Sequence, residues 1–150
     1  MGIGGKYAWV FHTPQGKAYL HYVFKDKVMG ELVRVLPHFY SQTPDYLGKL
    51  AESEERFMVF FPVSVACRRK LIENVGHFDL KNFVKPNLMR NKHLVRGEFL
   101  GWHLIDTNTM HHQLVKNLSA EQKKLSPWGI WNDTLLIERL ASGWKLEEWE

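Results

Sequence analysis

Residues Lys17 to Lys25 have no polar face. Tyr19, His21 and Val23 alternate with Ala18, Leu20, Tyr22 and Phe24, so both sides of an extended chain here are apolar or aromatic. A strand of this kind has to be covered on both sides. Upstream, Tyr7 to His12 is rich in aromatic and β-branched residues, and Thr13-Pro14-Gln15-Gly16 reads as a turn. Downstream, Asp26-Lys27 predicts a tight turn and Val28 to Leu36 a third strand, stopped by Pro37. Sequential strands on short turns make an antiparallel meander the economical arrangement.

Arg56 to Val63 is a further buried strand, with Phe57, Val59 and Phe61 alternating with Met58, Phe60 and Pro62. Between the two regions, Thr43-Pro44-Asp45 is a helix-start signal, with Leu47, Leu50 and Ala51 on one face and Gly48 weakening the helix. Ser53-Glu54-Glu55 reads as an exposed acidic loop. After the strand, Ser64 can cap a helix over Val65 to Val75, with Gly76 in the place of a left-handed C-terminal cap. Phe78 to Arg96, with Pro86 and three Asn, reads as a long connection. Gly97 to Asp106 and Met110 to Leu118 read as paired strands about a Thr107-Asn108-Thr109 turn. Ser119 and Gln122 fit a capping box on a short helix that stops near Pro127. Thr134 to Ser142 reads as a last helix ended by Gly143, and the tail tryptophans are expected to fold back. The sum is α+β: an antiparallel, strongly curved sheet with two or three helices packed against it, in a single domain over residues 1–150.

Composition sets the functional bounds. With 150 residues and 45% hydrophobic content the chain can build one sizeable core. Its longest apolar run, Phe57–Val63, is far below the ~20 residues of a membrane span. The start Met1-Gly2-Ile3-Gly4-Gly5-Lys6 has no apolar segment of a secretory signal. A single cysteine, Cys67, precludes an internal disulfide framework. These features predict a cytoplasmic protein with no membrane partner.

The net charge is +4, but Lys81, Lys85, Arg90, Lys92 and Arg96 form a stretch of five cations without an acid. That stretch exceeds the charge of the whole chain and leaves the rest close to neutral. Such a segment can grip phosphates or an acidic protein surface, or serve only solubility. No helix-turn-helix, zinc finger or RNA-binding aromatic motif accompanies it.

Candidate chemistry is thin. There are eight histidines, of which His103, His111 and His112, with Asp106, lie on neighbouring predicted strands. Their spacing matches no metal motif, and consecutive residues such as His111 and His112 face opposite sides of a sheet. Surface or half-buried sheet histidines are the expectation, with no metal or other cofactor. Cys67, ahead of Arg68-Arg69-Lys70, has cationic neighbours that favour a thiolate, but Val65, Ala66 and Leu71 around it favour a small apolar filler. Gly2, Gly4 and Gly5 precede a strand instead of following one, so they form no phosphate loop, and no nucleophile elbow is present. Four of the six tryptophans fall after Trp102 or begin a C-terminal aromatic lid over the sheet, namely Trp128, Trp131, Trp144 and Trp149.

Phe57-Met58-Val59-Phe60-Phe61-Pro62-Val63, followed by Cys67-Arg68-Arg69 and Val75-Gly76, resembles the central part of the immunity protein 26 family of bacterial polymorphic toxin systems. Gly16-Lys17-Ala18-Tyr19 is similar to that family's opening hairpin. Trp131-Asn132, Leu136-Ile137-Glu138-Arg139-Leu140 and Gly143-Trp144 resemble its end. The resemblance implies a non-enzymatic α+β protein that binds and neutralises a cognate toxin. This chain is basic, whereas inhibitors of nucleic-acid-cutting toxins are usually acidic, so the implied toxin presents an acidic contact surface. The expected anchors are Lys85, Arg90, Lys92, His93, Arg96 and Trp102. The alternative is a small basic nucleic-acid-associated protein of phage or mobile-element origin. An enzyme using Cys67 or the His103/His112 region ranks third.

Overall fold

The computed structural model describes residues 7–79 and 83–150. Strands β1 (Tyr7–Thr13), β2 (Gly16–Asp26) and β3 (Gly30–Val35) form the expected meander, with Trp9 opposite Leu20 and Tyr22 opposite Val33. β4 (Phe57–Phe60) pairs with β3, and β5 (Ile72–His77) with the free side of β1. All pairings are antiparallel, in the order β4-β3-β2-β1-β5.

Both faces of this sheet are covered, as the pattern of β2 requires. Trp9, Leu20, Val33 and Phe57 on one face pack against Trp131, Leu136 and Leu140 of the C-terminal region. There α3 (Asp133–Ala141) is capped by Asn132, whose Oδ1 accepts from the Leu135 amide at 2.8 Å. On the other face Val10, Tyr19 and Leu36 pack against Leu50 of α1 (Leu47–Glu52).

A second, three-stranded antiparallel sheet follows, formed by β6 (Leu88–Val95), β7 (Glu98–Asp106) and β8 (His112–Val115) in that order. The architecture is therefore α+β, with its strands shared between two antiparallel sheets. A segment around Pro127 stitches the sheets together: the Trp128 amide donates to Arg90 O at 2.7 Å and the Trp131 amide to Phe60 O at 2.8 Å. Phe60 and Leu32 of the first sheet share a core with Met89, Ile105 and Trp128.

Several expectations are corrected. The helix read over Val65 to Val75 is only α2 (Val63–Arg68). It ends in a Schellman geometry: Lys70 takes φ +58°, and the Leu71 amide reaches back to Ala66 O at 2.9 Å. The chain then extends, because the free edge of β1 supplies hydrogen bonds to Ile72–His77. Gly76 thus caps no helix. It lies in β5 at φ +145°, where the pairing with β1 shifts register, and a β-carbon there would meet the Phe78 ring at 2.9 Å. Ser64 caps nothing either; its amide and hydroxyl both donate to the Glu31 carboxylate, each at 3.0 Å. Thr43 does not cap α1, and its hydroxyl accepts from Lys17 Nζ. Glu55 of the supposed exposed loop pairs with the buried Arg34. The segment read as a long connection contains β6, although the Leu80–Asn82 part of it lies outside the described residues. The Ser119/Gln122 capping box is present, with reciprocal bonds of 2.9 and 3.1 Å, but it starts only a 3-10 turn, Gln122–Lys124.

Gly101 in β7 sets the geometry of the second sheet. It holds φ +138°, and a β-carbon there would lie 2.6 Å from the carbonyl oxygen of Val115 in β8. Gly101→Ala is expected to destabilise the protein by about 2–3 kcal/mol, since backbone strain and overpacking act together. Chemical denaturation checks this, and a loss below about 0.5 kcal/mol would contradict so tight a β7–β8 approach.

Candidate partner-binding surface

The residues expected to form one anchor cluster separate in the fold. Cross-strand partners share a face, so Arg90 and Lys92 of β6 lie with Leu104 and Trp102 of β7 on one side of the sheet. His93 is on the other side, Arg96 is in the hairpin turn, and Lys85 precedes β6. Lys81 lies outside the described residues.

Arg90 is corrected from surface anchor to internal strut. It is 0% exposed. Its guanidinium packs against the rings of both Trp102 and Trp149, 4.6 and 4.8 Å from their centroids, and those two rings meet edge-on 5.0 Å apart. Nε donates to Leu125 O at 3.1 Å; Nη2 donates to Lys123 O at 2.9 Å and Leu146 O at 2.6 Å. Nη1 reaches Trp149 O at 3.4 Å. These carbonyls belong to the Gln122–Lys124 turn, the Leu146–Glu148 3-10 turn and their flanks, and Leu146 O also accepts from the Trp149 amide at 3.1 Å. One buried cation therefore clamps two chain segments onto the sheet. Burial pulls its pKa down to about 10, partly countered by Glu147, so it remains charged at neutral pH. Trp102, 5% exposed, is likewise no surface anchor.

The other cations are partly engaged. Lys85 Nζ lies 5.1 Å from the Phe24 ring centroid and 3.4 Å from Thr107 O. Lys92 Nζ donates to the main-chain oxygen of Glu150 and lies 5.9 Å from the Phe99 ring. Arg96, in the two-residue turn with Gly97, is exposed at φ +51°.

What the hairpin does present is apolar. Leu94, Val95, Phe99 and Leu100 flank the turn and are 55%, 43%, 46% and 47% exposed. Leu94 pairs with Phe99 across the hairpin. Phe99 packs edge-on against Trp102, with centroids 5.5 Å apart, and also borders an open groove of about 420 Å³. Trp149 and Leu118 line this groove too, with Lys116, Lys123, Glu147 and Glu150 around them. A sequence signal for these residues existed: two apolar pairs, Leu94-Val95 and Phe99-Leu100, on either side of the Gly-containing Arg96-Gly97-Glu98, which is a hairpin pattern.

Cys67 is half-buried against the main core. Of the histidine group, it is His93, not Asp106 or His111, that joins His103 and His112. No set of three or more His, Cys, Asp or Glu among the described residues is arranged to hold a metal ion. No helix among them is long and apolar enough to cross a membrane. In the comparisons with known proteins, no family model, curated protein or solved structure matches this chain.

Proposed function

We propose that this is a non-enzymatic immunity-type protein that neutralises a cognate bacterial toxin by binding it through the exposed end of the β6–β7 hairpin. The carrying observation is the set of four large apolar side chains flanking the Arg96-Gly97 turn, each more than two-fifths exposed, with Leu94 and Phe99 paired on one face of the hairpin and Val95 turned to the other. Large apolar side chains left exposed on such a projection mark interaction sites. Phe99 joins it to an aromatic-lined groove fit to receive a partner side chain, the arrangement in which binding energy concentrates. Arg96, Lys116 and Lys123 are exposed around it together with Glu98, Glu147 and Glu150, so the rim offers charges of both signs to a partner. The likeness of Phe57–Val63 and Val75-Gly76 to the immunity protein 26 family supports the same reading. The nucleic-acid alternative loses ground because Arg90 is enclosed and Lys92 engaged, and phosphate binding needs free cations.

The test uses the product of a large toxin gene adjacent to the gene for this protein. Co-expression should restore growth, and calorimetry should show tight 1:1 binding. Leu94→Asp and Phe99→Asp should each weaken binding by about 2 kcal/mol, roughly thirtyfold, without lowering the melting temperature. Binding of random duplex or single strands at low salt, with no affinity for the toxin, would establish the alternative instead.

A further inference from the structure

The second face of the three-stranded sheet carries three histidines, one from each strand. His103 of β7 stands opposite Asn91 of β6 and Leu114 of β8. His93 lies two residues beyond Asn91, and His112 two before Leu114, so strand alternation brings all three rings to one side. His93 pairs with Gly101, which has no side chain to separate the rings. His93 Nδ1 is 2.9 Å from His103 Nε2, with ring centroids 4.6 Å apart at 90°. The His103 and His112 centroids are 5.2 Å apart.

The tautomers follow from the partners. His103 Nδ1 is buried without a hydrogen-bond partner among the described residues. A bare lone pair there is cheaper than a stranded N–H, so the proton of neutral His103 belongs on Nε2, which donates to His93 Nδ1. Protonating His93 at Nδ1 then sets N–H against N–H at 2.9 Å. Protonating His103 puts an N–H on the buried, partnerless Nδ1. Either event breaks the shared bond or buries an unsatisfied donor.

Nothing opposite stabilises the cation. The residues facing the rings across the strands, Asn91, Gly101 and Leu114, are uncharged. None of the three histidines forms an ion pair with a carboxylate among the described residues. Asp106 and His111 interact with each other at the far turn, and Lys92 projects from the opposite face. Burial first, then the charges of His93 and His112, hold the His103 pKa below its ordinary 6.5. The sign follows: the unfolded chain takes up this proton more readily than the folded one. The stability tied to His103 is thus complete above about pH 6.5 and lost as pH falls through the lower folded value.

We propose that His93, His103 and His112 form a proton-operated latch, which fixes the projecting end of the β6–β7 hairpin while the rings are neutral and frees it when they are protonated. The position gives the latch its reach. The β6–β7 pairing shifts register between His93 and Leu94, immediately where the exposed end begins. Loss of the ring contacts removes the side-chain fixture nearest the register shift on the histidine face, leaving the hairpin end held on the opposite face alone, through Phe99 on Trp102. The consequence for partner binding rests on the reading above, whereas the latch does not.

Long-range proton–nitrogen NMR of the imidazoles in the full chain between pH 8 and 5, with amide hydrogen exchange, tests this without any partner. At pH 7.5 His103 should be the Nε2–H tautomer, and its midpoint should lie below the ordinary histidine value of 6.5. Exchange of the amides of residues 94–100, normalised for intrinsic pH dependence and to β1–β2 amides, should rise at least tenfold from pH 7 to pH 5. In His93→Gln that rise should be largely absent. His103 titrating at or above the ordinary histidine value of 6.5, or hairpin exchange that tracks β1–β2 throughout, overturns the latch. A latch that operates while toxin affinity ignores pH contradicts the binding surface and leaves the latch standing.

Discussion

Arg90→Ala should lower the stability of this protein by about 3–5 kcal/mol, because several carbonyls lose a charged donor and two tryptophan faces lose their cation. For a chain of this size that is a fall of roughly 6–20 °C in melting temperature. Arg90→Lys should recover less than half, since an ammonium cannot span carbonyls of both 3-10 turns or present a flat guanidinium to the rings of Trp102 and Trp149. The loss should persist at high salt, as expected for enclosed hydrogen bonds. Tryptophan fluorescence and thermal melts read both effects. A surface arginine would cost within about 0.5 kcal/mol, and that result would refute the clamp.

Arg34→Met should have a comparable effect, about 3–5 kcal/mol, because it strips donors from buried acceptors while keeping much of the volume. Arg34 is 3% exposed and lies opposite His21 in the β2–β3 register. Its Nη1 donates to Ala51 O at 2.7 Å and to His21 Nδ1 at 2.9 Å; Nη2 donates to Ser53 O. Since arginine only donates, His21 Nδ1 accepts, and its Nε2–H donates to Phe78 O at 2.8 Å. This network ties α1 and the following loop to the sheet. The Arg34–Glu55 pair at 3.3 Å is the lesser part, because the Glu55 side chain is 22% exposed. Glu55→Gln should cost only about 1 kcal/mol. Equal losses from Arg34→Met and Glu55→Gln in denaturant titrations would show instead that the ion pair carries the effect.

The two arginines explain which parts of the fold were legible in the sequence. The β1–β3 meander was readable because burial on both faces leaves an apolar alternation and because Pro and Gly punctuate the turns. α3 was readable from its apolar stripe and Gly143, although its Asn132 cap was not. β6 was hidden: Arg90, Asn91, Lys92 and His93 read as polar chain, yet Arg90 is wholly enclosed. Local composition cannot reveal that carbonyls of two distant 3-10 turns will meet one guanidinium. The helix expected over Val65 to Val75 failed for a related reason. Its apolar pattern is shared by a six-residue helix and a strand, and only the free edge of β1 decides between them. At the candidate site, sequence reasoning favoured charge and so missed Leu94, Val95, Phe99 and Leu100. The cations it chose are largely occupied inside the molecule.

The central claim is that the β6–β7 hairpin end is the binding surface. Hydrogen–deuterium exchange of the protein with and without the product of any toxin gene found beside its own tests this most directly. The account predicts strong protection of residues 94–100 and of the segment around Lys116 to Lys123, with the β1–β3 meander unchanged. Protection confined to another face, with residues 94–100 exchanging as in the free protein, would contradict it.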